Sequence, residues 1–90
     1  MGIKEHVEQL TGLLSLPKQV VLNLPQIILT GKGEVSIENY KNLIEFTESL
    51  VRVNTNSGIA AIHGNRLNLK QITTESITVT GDIVKVEYNN

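Results

Sequence analysis

Between Gln26 and Tyr88 turn residues interrupt the chain every few positions, and no segment they leave exceeds seven residues. Ordinary helices need roughly 10–14 residues, so this region must be built from strands. The segments are QIILT (26–30), EVSIE (34–38), NLIEF (42–46), LVRVN (50–54), GIAAIH (58–63), RLNLKQI (66–72), SITVT (76–80) and DIVKVEY (82–88). The gaps hold EN at 38–39, TES at 47–49, NTNSG at 54–58, GN at 64–65, TTES at 73–76 and GD at 81–82, residue types that supply positive φ or bond their own backbone. Eight short strands so closely spaced predict antiparallel neighbours.

Period-two alternation predicts an inward set of Val35, Ile37, Ile44, Phe46, Val51, Val53, Ala60, Ile62, Leu67, Leu69, Ile77, Val79, Val86 and Tyr88. Glu34, Glu38, Glu45, Arg52, His63, Asn68, Thr78 and Glu87 are expected outward. One flat sheet cannot hide that many apolar side chains, so a mainly β meander curled into a barrel, roll or sandwich is expected. A β-solenoid is the alternative, weakened because no side-chain motif repeats at a fixed period.

The first 25 residues read differently. Ile3, Val7, Leu10 and Leu14 recur at helical spacing with Lys4, Glu5, Glu8 and Gln9 facing away, which predicts an amphipathic helix over residues 1–15. Pro17 excludes Leu16 from helical backbone angles and ends it, while Pro25 lacks a ladder donor and opens the first strand. The segment 16–25, LPKQVVLNLP, thus connects the helix to an all-β body over 26–90. A 90-residue chain buries only about 60–65% of its unfolded surface, enough for a single domain. The stripe Ile3, Val7, Leu10, Leu14 is the candidate interaction face, against the chain's own sheet, a protein partner or a second copy, or a membrane surface.

Chemistry-bearing patterns are sparse. A net charge of −1 and three aromatics offer no basic, stacking surface for nucleic acid. No cysteine is present, and two histidines without paired ligands predict no metal site and no cofactor. His6 and His63 read as solvated and unpartnered. Glu34, Glu38 and Glu45 are candidates for hydrolytic chemistry if two converge on a groove, against the plainer reading of a wetted rim. TGKGE (30–34) lacks the spacing and following helix of a phosphate loop and reads as a turn. A charged N-terminal stretch argues against a signal peptide, and no apolar run is long enough to span a bilayer.

The ordered series Leu24-Pro25, Gly31, Ile37-Glu38-Asn39, Gly58, Ile62, Gly64, Leu67, Ile77, Gly81, Ile83, spread over about residues 13–88, resembles the YabP/YqfC family of sporulation proteins, with both Leu-Pro pairs and IENY closest to the YqfC branch. Pro17, Pro25, Gly31, Ile37, Asn39, Gly58, Gly64 and Gly81 carry that signature. Asn42 stands where the family usually has glycine, which implies strain if that position requires positive φ. The resemblance implies a small protein of endospore-forming bacteria, made in the mother-cell cytoplasm, with a sporulation membrane protein as its partner. It carries no catalytic residues. A non-enzymatic interaction or assembly module, self-associating or held at the forespore membrane through its partner, is the leading expectation. A cortex-related hydrolase or a small-ligand barrel is the alternative.

Overall fold

The computed structural model describes residues 23–89, so the expected helix, its stripe and Pro17 lie outside the described residues. Six strands follow one another: β1 (Gln26–Thr30), β2 (Glu34–Glu38), β3 (Asn42–Phe46), β4 (Leu50–Thr55), β5 (Gly58–Ile72) and β6 (Ser76–Asn89). They form one antiparallel sheet in the order β1-β2-β6-β5-β4-β3. Antiparallel pairing throughout is not the stacking of solenoid coils, so that alternative falls.

Eight expected strands become six because GN at 64–65 and GD at 81–82 are not chain reversals. They are bends within the two long strands, where the β5–β6 register shifts between His63 and Gly64 and again between Asn65 and Asn68. The bends divide the sheet into two halves. In one, β4 pairs with residues 58–63 of β5, which pair in turn with 85–89 of β6. In the other, β2 pairs with residues 76–80 of β6, which pair with 68–72 of β5.

Each bend receives the tip of the opposite hairpin. The Gly64 and Leu67 amides donate to Ser49 and Glu48 of the β3–β4 turn, while the Gly81 and Ile83 amides donate to Gly33 and Lys32 of the β1–β2 turn. Folded there, the halves bury their inner faces together: Val35, Ile37, Ile77 and Val79 from one, and Val51, Val53, Ala60 and Ile62 from the other, all at 0% exposure in one cluster with Leu67. At roughly 25 cal/mol per Å², this apolar burial is the main favourable term holding the sheet folded.

Glycine is required at the bends. A Cβ on Gly64 would lie 2.1 Å from the Asp82 carbonyl oxygen, and one on Gly81 would lie 2.6 Å from that of Arg66. The strands therefore cross backbone to backbone, and the irregularity in β5 sends Leu67 into the core.

Most of the expected inward set is buried or half-buried, with three exceptions, Ile44, Phe46 and Tyr88. A bulge between Leu43 and Glu45 makes Ile44 the extra residue of β3. Leu43 takes the inward position and packs on the core, and Ile44 is 41% exposed. Phe46 and Tyr88 pair with the buried Val51 and Ala60, but lie where the inner face reaches an uncovered margin, at 42% and 47% exposure. Thr78 faces away from the core yet is buried, flanked by Ser36 and Gln71, with its hydroxyl 3.0 Å from that of Ser36. Asn42 needs no positive φ: it sits in β3 opposite Asn54, whose amide donates to it at 3.3 Å. The left-handed residue in the β2–β3 turn is Asn39, at φ 63.

Asn39 also organises the end of the molecule where the described chain begins. Its backbone N–H donates to Glu75 at 2.7 Å, and its side-chain amide donates to the Leu24 carbonyl at 2.9 Å. The Asn56 side chain donates to the Asn23 carbonyl at 2.8 Å. Pro25 thus enters β1, an edge strand, from a pinned position, as its missing donor requires.

Candidate functional site

The three candidate carboxylates do not converge. Glu34 and Glu38 occupy one face of β2 four residues apart, which is about 13 Å of strand. Glu45 belongs to the other half of the sheet and holds Arg52 at 3.1 Å, while Glu34 contacts Lys70 at 3.5 Å. The arrangement lacks the roughly 5–10 Å pair across a groove that hydrolysis of a glycosidic bond uses. Among the described residues, no group of three or more His, Asp or Glu could hold a metal ion. Among the described residues the inner face is filled by its own Ile and Val, which disfavours the small-ligand barrel.

His63 is partnered, contrary to expectation. It lies beside Lys85 and Glu87 on the outer face, with Nε2 2.9 Å from Glu87 Oε2, and Lys85 Nζ is 3.5 Å from the other Glu87 oxygen. The His63 hydrogen bond, assisted by Lys85 and opposed by partial desolvation, holds the Glu87 carboxyl below the ordinary glutamate range. A carboxylate whose pKa is depressed in the folded state stabilises above its unfolded value, and that contribution disappears as pH falls through the folded value. Denaturation midpoints should therefore decline on acidification below the ordinary glutamate pKa, with a shallower decline in Glu87→Gln. Equal slopes for the two proteins would refute this role for Glu87.

An open groove lies where the β1–β2 tip meets β6. Leu29, Gly31 and Lys32 line one side, and Ile83, Val84, Lys85 and Val86 the other. Leu29 is 55% exposed and Val84 70%. Val84 is displaced because the β5–β6 register advances two residues on β6, from Ile83 to Lys85, against one on β5. The adjacent apolar pair Ile83-Val84, which breaks period two, was the sequence signal for this groove. Leu29 became part of it only through the docking of the hairpin tip.

Beyond the groove, residues 84–89 bond β5 along one side, and among the described residues no strand pairs with the other. Alternation shows which groups are open. The Gly64 amide donates to Ser49, so 58, 60, 62 and 64 direct their backbone groups toward β4, and 59, 61 and 63 toward β6. Their partners Asn89, Glu87 and Lys85 are thereby used, and the backbone N–H and C=O of Val86 and Tyr88 point outward.

The described signature residues occupy structural positions in the sheet. Gly31 takes positive φ, 57°, in the β1–β2 turn, and Gly58, at 117°, opens β5. Ile37 is in the core, Asn39 ties the chain's entry to the sheet, and Gly64 and Gly81 make the crossing. A family model, described as the YabP family, matches residues 23–90. The chain belongs to the YabP family. Its similarity extends to the uncharacterized protein YqfC of Bacillus subtilis (strain 168), at 35% identity over 79 residues, covering 88% of this chain and 85% of that protein. The YabP match includes all six strands, both bends and the open edge. Among the described residues, no helix is long and apolar enough to cross a membrane.

Proposed function

We propose that the chain is a non-enzymatic interaction or assembly module of sporulation, engaging a membrane-associated protein in the mother cell and held beside the forespore membrane by that partner. The observation that carries this reading is the open edge of β6 beside an apolar groove, since unpaired strand edges are templates for another chain. Membership of the YabP family supports the sporulation setting. The separation of Glu34 from Glu38 at opposite ends of β2, and of both from Glu45 on β3, favours binding over the hydrolase alternative.

The test is recovery of a tagged full-length chain from the membrane fraction of sporulating cells, beside the heat resistance of spores formed without the gene. Co-purification with a membrane protein, together with loss of resistant spores, is expected. Cleavage of cortex peptidoglycan by the purified chain, abolished by Glu34→Gln or Glu45→Gln, would overturn the reading.

A further inference from the structure

The open edge of β6 has a sequence that complements itself. If residues 84–88 met an identical strand running antiparallel and centred on Val86, Lys85 would face the second copy's Glu87, and Val84 its Tyr88. Val86 would face itself, and because its N–H and C=O point outward, the two valines would exchange a pair of backbone hydrogen bonds. The neighbouring register, centred on Glu87, would set two carboxylates against each other and Lys85 against Asn89. Like charges directly opposite are destabilising, so charge selects the Val86 register.

Three observations coincide on this edge. Its backbone groups lack a strand partner among the described residues, its charges alternate in sign, and Val84 and Tyr88 are 70% and 47% exposed. Tyr88 and Val86 lie on the inner face, opposite Ala60 and Ile62, and Val86 also lines the groove beside Leu29, Ile83 and Val84. A second copy would therefore bring its Tyr88 over that groove and continue the β3-β4-β5-β6 layer into eight strands. A twofold pairing of this kind closes on itself and leaves no open edge at β6 for further growth.

We infer that the second half of β6 is a homodimer interface, an antiparallel strand pair centred on Val86 with reciprocal Lys85–Glu87 ion pairs. This rests on the interaction-module reading and names its surface and one occupant, a second copy of the chain. Light scattering on the full-length protein should give a mass near twice 9.9 kDa. Lys85→Glu and Glu87→Lys should each weaken the dimer at least about tenfold, and the double exchange K85E/E87K should restore it.

Val86→Pro removes a donor that faces away from β5, so it should give a folded monomer by circular dichroism. Leu10→Glu, which disrupts the N-terminal stripe, should leave the dimer intact. A monomeric wild type at high micromolar concentration overturns the inference, as does a dimer that survives both single charge reversals. A dimer lost in Leu10→Glu and retained in Lys85→Glu assigns self-association to the N-terminal stripe and also overturns it. None of these outcomes depends on recovering the membrane partner, so failure of the interface and failure of the sporulation assignment remain distinguishable.

Discussion

Gly64→Ala and Gly81→Ala should each lower the unfolding free energy by about 3 kcal/mol or more, placing them among the most damaging single-methyl additions available to this chain. At Gly64 the added carbon would stand 2.1 Å from the Asp82 carbonyl oxygen and 2.9 Å from a Leu67 methyl. At Gly81 it would meet the Arg66 carbonyl oxygen at 2.6 Å and the Leu67 Cα at 2.9 Å, on a backbone with φ 140°. The colliding groups are mostly backbone, so relief requires moving one long strand off the other and releasing Leu67 from the core. Gly31→Ala is the control. Its φ is 57°, nothing lies within 4 Å of its Cβ, and only the left-handed backbone penalises alanine, by about 1 kcal/mol. Urea midpoints for the three variants should separate accordingly, with far-ultraviolet circular dichroism reporting any that do not fold. Equal midpoints would show that β5 and β6 do not cross at these glycines.

Ile37→Ala should destabilise the protein by about 2–5 kcal/mol, and Ile44→Ala by less than about 1 kcal/mol. Both are isoleucines within five-residue strands. Ile37 is fully buried between Ile27 on β1 and Ile77 on β6, where truncation leaves a cavity walled by rigid β-branched neighbours. Ile44 is the bulged residue of β3, already 41% exposed, so shortening it opens no enclosed void. Comparable losses at the two positions would contradict the bulge and restore the unbroken alternation that the sequence implies.

That contrast marks where local reading succeeds. Val35 and Ile37, Val51 and Val53, and Ile77 and Val79 each alternate with polar residues, and all six are fully buried. The true chain reversals were equally legible, although the bends at 64–65 and 81–82 read as turns too. Thr47 and Thr73 each accept from the amides two and three residues on, at 2.9–3.2 Å, as hydroxyl-bearing turns should. The open edge was not legible in this way. Whether Val86 has a strand on one side or two depends on where β2 stops pairing, at Glu34, more than fifty residues earlier in the chain, and no local pattern carries that information.

The sequence by itself determined which residues extend, where turn chemistry lies and which positions alternate, because those properties follow from backbone preferences within a few residues. It also singled out Gly64 and Gly81, but as turn glycines and as part of the family signature. Tertiary structure alone showed why glycine is needed there. A hairpin turn and a close strand crossing both call for a missing Cβ, and only pairing between distant segments distinguishes them. The same pairing folded one sheet over its own face, displaced Ile44 and Val84 at register shifts, and left the Val86 edge open among the described residues. Each of these outcomes is set by contacts between residues far apart in the chain.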